Sequence, residues 1–438
     1  MKKNEEYVVQ CIDETNQGYG IVKIEDQVVF VPDLMQSEKA CIKIVKVQKN
    51  FSFGKIMKLI EPSFDRIEPE CKVSKLCGGC QYQHVSYAAQ LKTKHRLLEE
   101  RVHRKIKYLE VRPVLGMDHP YYYRNKAQFP VQIHGDRVVM GFYRRHSNDI
   151  VPCAECKIQA KRINEIYQYL QSHLSVALAS GLRHILMRHS EITGETQVVF
   201  IGSKRNAFEP LVNELIHVFP DIQSIVFNEN KRKDNVILGE AYEVLYGRDF
   251  IYESCLGNTV KLHFKSFFQV NPKQMEVLYQ QAIDAGKLSS NMTCIEMYSG
   301  VGTIGMAVSK YVKQVIGVEI VKEAVDNAIE NCALNGITNC SYACMDASVF
   351  ASQFKASEKK VDVVFVDPPR KGMTQEGIKD ITSMQPDRVV YVSCNPETLI
   401  RDLCLFEACG YRCEYMQPVD MFCQTTGLEN ICLISREV

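Results

Sequence analysis

Glu296-Met297-Tyr298-Ser299-Gly300-Val301-Gly302-Thr303-Ile304-Gly305 decides the fold of the C-terminal half of the chain. The stretch ends an apolar run begun at Cys294-Ile295, opens a helical pattern and contains G-x-G-x-x-G. Glycines at 300 and 302 let the backbone turn tightly and come close to a ligand. The next apolar run ends at Glu319, where a carboxylate can accept hydrogen bonds from the two ribose hydroxyls of an adenosine. Strand, glycine turn, helix, strand and acid, in that order, predict a nucleotide or adenosyl ligand.

Outward from this point the pattern is βα alternation. Cys294–Met297, Val315–Val318, Val361–Val366 and Arg388–Val392 read as strands, separated by helical stretches such as Val321–Asn335. The expected fold is α/β, a Rossmann-like parallel sheet with ligands at the carboxyl ends of its strands. A dehydrogenase would share the glycines and the acid, but it would not predict Val366-Asp367-Pro368-Pro369-Arg370. There the prolines withhold amide donors and fix the backbone, leaving Asp367 aimed into the cleft. An Asp-Pro-Pro after the fourth strand resembles the motif of methyltransferases acting on nucleobases, which points to S-adenosylmethionine.

The following strand runs into Ser393-Cys394-Asn395-Pro396. A single cysteine among 18 is ordinarily a small buried hydrophobe. Cys394 instead stands in a polar turn at a strand end, beside the cleft of Asp367. Methylation at carbon 5 of uracil needs such a thiol, because that carbon is too weak a nucleophile to attack a sulfonium methyl. Thiolate addition at carbon 6 makes carbon 5 enolate-like, and a base must later remove the carbon 5 proton. Glu429, in Thr425-Thr426-Gly427-Leu428-Glu429-Asn430, is the candidate base.

With 438 residues, 46% hydrophobic and 24% charged, the chain is expected to be globular and to form two or three domains. A formal charge of +1 demands that any nucleic-acid surface gather its basic residues locally. No apolar run suits a membrane span, and Met1-Lys2-Lys3-Asn4 does not open a signal peptide, so a cytoplasmic protein with mostly reduced cysteines is expected.

Short alternating runs at Tyr7–Val9, Gly20–Ile24, Val28–Val31 and Ala40–Val45 predict a small OB-like barrel over residues 5–60. A helix is predicted from about Tyr87 to Lys107. It carries Lys92, Lys94, Arg96, Arg101, Arg104, Lys105 and Lys107, a solvated face or a basic one for phosphates. Tyr121-Tyr122-Tyr123-Arg124-Asn125-Lys126 and Tyr143-Arg144-Arg145-His146 interleave aromatics with cations, a mixture suited to stacking on bases. Cys71, Cys77, Cys80, Cys153 and Cys156 offer thiolates for tetrahedral zinc or for an iron–sulfur cluster. The two C-x-x-C pairs, Cys77/Cys80 and Cys153/Cys156, suit zinc.

Phe267-Phe268-Gln269-Val270-Asn271, Tyr298-Ser299-Gly300-Val301-Gly302, Asp367-Pro368-Pro369-Arg370, Ser393-Cys394-Asn395-Pro396 and Glu429 occur in the order found in RNA uracil-5-methyltransferases. Over nearly the whole length the chain resembles the type that modifies 23S ribosomal RNA. The resemblance implies a TRAM barrel over 1–60, a central α+β iron–sulfur and RNA-binding domain over 61–265, with the helix near 87–107 free to pack on the catalytic part, and a methyltransferase domain over 266–438. It implies Cys394 as nucleophile, Glu429 as base, and Gln269, Tyr298, Gly300, Gly302, Glu319, Asp346 and Asp367 around S-adenosylmethionine. It also implies Cys71, Cys77, Cys80 and Cys156 as [4Fe–4S] ligands, with zinc the alternative and Cys153 extra. RNA would be the partner of a monomer that needs no other protein. Relatives acting on tRNA generally lack barrel and cluster, so residues 1–156 are expected to disfavour that substrate. One departure stands out. The family's Pro-His-Thr-x-His-Val-Glu reads Cys423-Gln424-Thr425-Thr426-Gly427-Leu428-Glu429 here, the one feature that would suit an RNA-binding assembly factor without turnover.

Overall fold

The computed structural model describes residues 1–437. Its first six strands, Glu6–Gln10, Asp13–Glu14, Tyr19–Ile24, Gln27–Pro32, Lys39–Val47 and Phe51–Glu61, form one sheet. Inward positions alternate along them, and Val22, Val29, Val31, Ala40, Ile42 and Ile44 meet in a core drawn from this segment alone. No other element covers that face, so the sheet has to curl over its own side chains.

The central part is a second six-stranded sheet, in the order Tyr242–Gly247, Ile222–Glu229, Thr196–Gly202, Leu182–His189, Lys126–His134 and Arg137–Met140. Helices Lys161–His173 and Glu209–Val218 pack on it through Ile163, Ile166, Tyr167, Leu170, Leu211 and Leu215.

The third sheet has eight strands, ordered Cys340–Cys344, Gln314–Glu319, Thr293–Met297, Val363–Val366, Arg388–Ser393, Glu429–Arg436, Tyr411–Val419 and Glu110–Val111. The first five are mutually parallel, and the strand Glu429–Arg436 runs antiparallel to both of its neighbours. The βα alternation expected from the sequence is therefore present, and the predicted helix 321–335 is found at Lys322–Leu334. The alternation stops where a hairpin closes the sheet, and Glu429 opens the last strand of that hairpin.

Helix Tyr87–His103 ends four residues before the sequence pattern does. Its Leu98 and Val102 join Ile106, Leu109 and Val111 in the core of the C-terminal sheet. Hairpin Phe250–Cys255/Asn258–His263 likewise buries Cys255, Val260 and Leu262 in the C-terminal core. The helix is not a free basic face. Lys94 is buried, Arg96 pairs with Asp13 at 2.9 Å and Glu100 at 2.8 Å, and Arg101 pairs with Glu397 at 3.0 Å. In the first aromatic–cation stretch Tyr123 and Asn125 are buried, while Tyr121, Tyr122, Arg124 and Lys126 remain partly exposed. No helix among the described residues is long and apolar enough to cross a membrane.

Candidate active site

Tyr298, Gly300 and Gly302 all take left-handed backbone angles, with φ of 62°, 52° and 80°. This bends the chain sharply between strand Thr293–Met297 and helix Thr303–Ser309. A Cβ on Gly302 would lie 2.3 Å from the Tyr342 hydroxyl, whereas one on Gly300 would meet nothing within 4 Å. Gly302 is thus needed for packing, and Gly300 faces open space where a ligand can lie. Gly300 N donates to Glu319 Oε2 at 3.1 Å, which ties the acid to the loop. Beneath it Glu296 accepts from Gly305 N at 3.0 Å, and burial raises its carboxyl to about 8.

Asp367 follows strand Val363–Val366, and burial raises its carboxyl to about 7. Gln269 is buried, with its carbonyl accepting from Asn125 Nδ2 at 3.3 Å, and Asp346 caps helix Ala347–Ala356 just beyond the strand Cys340–Cys344. The open glycine turn, the strand-end acid Glu319 and the strand-end Asp367 fit an adenosyl sulfonium. Bound here, S-adenosylmethionine would supply an electrophilic methyl group.

Cys394 is half-buried, in the turn between strand Arg388–Ser393 and helix Pro396–Glu407. Asn395 caps that helix by accepting from Glu397 N at 3.1 Å. Asn395 Nδ2 donates to the Arg370 carbonyl at 2.9 Å, and the Thr398 hydroxyl donates to the same oxygen at 3.3 Å. The Asp-Pro-Pro-Arg and Ser-Cys-Asn-Pro turns are thereby stitched together, and the Arg370 charge bears on the Cys394 thiol. Burial and the nearby Glu429 carboxyl push that thiol upward, and Arg370 opposes both. Glu429 is buried; desolvation and the charge of Asp367 hold its carboxyl well above the ordinary range, again against Arg370. Cys394, Glu429, Asp367 and Arg370 form one electrostatic cluster. Arg370 stood inside a quoted motif, but nothing in its spacing signalled an effect on the thiol.

Cys394 opens on a cavity of about 130 Å³, shared with Gly427, Leu428, Lys94, Arg101 and Asn16. A cavity of about 150 Å³ holds benzene, so one six-membered ring is the right scale of occupant. Thr426 borders both this cavity and a wider groove of about 600 Å³ lined by Tyr19, Tyr143, Arg144, Arg145 and His146. Tyr143, Arg144 and His146 are exposed there.

All 18 cysteines are free. Charge on Cys71 and Cys77 bears on the Cys80 and Cys153 thiols, and charge on Cys80 and Cys153 bears on Cys156, so the five sulfurs occupy one region. Two amides aim at the sulfurs, Gly79 N at Cys77 and Gln83 Nε2 at Cys80, each at 3.4 Å. Among the described residues no three His, Cys, Asp or Glu side chains converge as ligands of one ion. A single zinc, with sulfurs about 2.3 Å from the metal, demands such convergence. Thiol donors with such N–H···S contacts are the kind of set that either zinc or an iron–sulfur cluster uses.

An eight-stranded sheet of this order, with a glycine turn and an acid at the ends of adjacent strands, makes this an S-adenosylmethionine-dependent methyltransferase. The family model for tRNA (uracil-5-)-methyltransferase matches residues 86–437, and the chain belongs to that family. It is 38% identical to an uncharacterized RNA methyltransferase of Halalkalibacterium halodurans, covering 99% of this chain and 98% of the relative. An uncharacterized RNA methyltransferase of Bacillus cereus is 40% identical over 100% of this chain and 98% of its own. Among solved structures, the tRNA (uracil-54, C5)-methyltransferase of Pyrococcus abyssi in complex with S-adenosyl-L-homocysteine matches with a TM-score of 0.75. The two are 26% identical, and the match covers 98% of this chain and 99% of that one. Since that likeness runs through residues 1–156, this segment does not separate an rRNA enzyme from a tRNA enzyme, contrary to the expectation above.

Proposed function

We propose that the chain methylates carbon 5 of a uridine in 23S ribosomal RNA through a covalent Cys394 adduct, with Glu429 as base. The electrostatic grouping of Cys394 with Glu429, Asp367 and Arg370, and the ring-sized cavity that Cys394 lines, carry this reading. The target base must leave its stack to enter that cavity, because carbon 6 is shielded while the base is stacked. The Cys394 thiolate adds to carbon 6, and the electron pair displaced onto the ring lets carbon 5 take the methyl from the sulfonium, which leaves as a thioether. Glu429 then removes the carbon 5 proton, the double bond re-forms and the thiolate departs. Glu429 has to be ionised for that step. Arg370 favours its charged form. The exposed Tyr143, Arg144 and His146 of the adjoining groove suit the flanking strand.

Residues 1–60 act as a TRAM barrel in this reading. Cys71, Cys77, Cys80 and Cys156 hold a [4Fe–4S] cluster that positions the surrounding loops, as methyl transfer moves no electron to a cluster. A tRNA substrate is the second reading, favoured by the full-length likeness to the archaeal tRNA enzyme. Mapping 5-methyluridine in rRNA and tRNA from cells lacking the protein separates the two; loss from tRNA alone overturns the ribosomal assignment.

The chemistry has its own test. Glu429→Gln should add and methylate but not eliminate, because an amide cannot accept the proton. A methylated protein–RNA adduct should survive denaturing electrophoresis and vanish in the double variant with Cys394→Ala. Normal turnover by Glu429→Gln, or by Cys394→Ala alone, overturns the reading.

A further inference from the structure

Glu429 pairs with Val419 across the final hairpin. No hydrogen bond contributes to holding its carboxyl among the described residues, so the direction of the base is set by the backbone leading into it. That backbone is the strap 420–428, and one ammonium closes it. Lys94 Nζ donates to Asp420 Oδ1 at 2.6 Å, to the Gly427 carbonyl at 3.0 Å and to the Phe422 carbonyl at 3.3 Å. An ammonium has three N–H donors, and all three are used. At 3% exposure Lys94 has nothing left for solvent or for a phosphate.

The rest of the strap is held from the same helix. Gln90 Nε2 donates to Gln424 Oε1 at 3.0 Å, and Gln424 N donates back to Gln90 Oε1 at 3.2 Å. The Tyr87 hydroxyl donates to Asp420 Oδ2 at 2.9 Å. Tyr87, Gln90 and Lys94 recur three and four residues apart, on one helical face. The Gln424 carbonyl accepts from Gln81 N at 3.1 Å and Tyr82 N at 3.0 Å, the amides that follow Cys80. The stretch that departs from the family's pattern is therefore not loose. It is gripped by residues far away in the sequence.

A buried ion pair often adds little to stability over apolar residues of the same volume. This one sits where Lys94, Gly427 and Leu428 share the cavity of Cys394. We infer that Lys94, supported by Gln90, is a positioning residue for the catalytic base: it fixes the strap so that the Glu429 carboxyl meets the carbon 5 proton of the adduct. This rests on the assignment of Glu429 as base.

The test follows single turnovers with methyl-labelled S-adenosylmethionine and the RNA substrate. Lys94→Met should transfer methyl into the adduct within about threefold of the native rate, yet release product at least about tenfold more slowly, part of the roughly 10²–10⁴ that a base supplies. Methylated adduct should then accumulate on denaturing gels, which a general loss of structure would not produce. Lys94→Met leaves Asp420 unpaired, so Lys94→Met/Asp420→Asn is made in parallel; it removes both charges and still frees the Phe422 and Gly427 carbonyls. Glu429→Gln serves as the reference for a stalled elimination. If Glu429→Gln traps adduct while the double variant releases product at the native rate, the positioning role is overturned and the base assignment stands. Equal loss of methyl transfer and release in the double variant overturns it as well. If Glu429→Gln itself turns over normally, the base assignment has failed.

Discussion

Arg370 faces two groups whose ionisation limits the proposed reaction, the Cys394 thiol and the Glu429 carboxyl. Burial raises both, and the guanidinium pulls both down. Turnover needs both deprotonated, so it should rise with pH through their raised values. Arg370→Gln removes the cation, raises both groups further and moves the acidic limb of the kcat/KM profile to higher pH. On that limb the rate falls about tenfold for each unit by which either group is raised. A limb that stays in place shows that Arg370 does not govern either group. Cys394 and Asp367 could be singled out in the sequence because each sits in a short strand-end motif whose chemistry is local, whereas Glu429 was singled out through the resemblance. Lys94 was not. It read as one cation in a basic run, because its partner Asp420 lies more than three hundred residues away and carries no motif.

The strand–turn–helix that bears the glycines makes a sharper prediction than either glycine alone. Gly302→Ala would place a Cβ against the Tyr342 hydroxyl at a φ of 80°, so the turn must shift. The thermal midpoint should drop, with a loss of about 1–3 kcal/mol. Gly300→Ala meets no protein atom at φ 52° and should cost only about 1 kcal/mol. It would intrude on the ligand instead, so calorimetry with S-adenosylhomocysteine should show a larger loss of affinity than of stability. The reverse ranking would mean that Gly300 does not face the cofactor. Strands that alternate with helices were readable from their apolar runs. The central sheet was not read: Thr196–Gly202 is buried throughout and Leu182–His189 nearly so, which erases the two-residue alternation. The closing hairpin Tyr411–Val419/Glu429–Arg436 broke the βα rhythm and was missed for that reason.

For the molecule as a whole, the cysteine loop and the base share a wall, since the Gln81 and Tyr82 amides bind the strap. Protein prepared without oxygen should contain about four irons and four sulfides per chain, as one Cys₄ cubane requires. Cys156→Ser should lose them, whereas Cys153→Ser, whose sulfur lies 4.0 Å from the Tyr167 hydroxyl, should retain them. Stoichiometric zinc, or iron that survives Cys156→Ser, would contradict the ligand set. The short N-terminal strands, the helix near residue 90 and the C-terminal alternation were all visible in the sequence. Their mutual arrangement was not, because it depends on contacts between the first quarter of the chain and the last.

The helix Tyr87–His103 belongs to a core whose last strand ends at Arg436. A ribosome adds about 5–20 residues each second, so this helix waits roughly 17–67 s after its own synthesis before its final partner exists. Through that interval Leu98, Val102 and Ile106 have no core to enter, while the central sheet between them and their partners can already fold. The nascent chain therefore passes through a state in which a finished middle domain hangs between two unfinished halves of the enzyme.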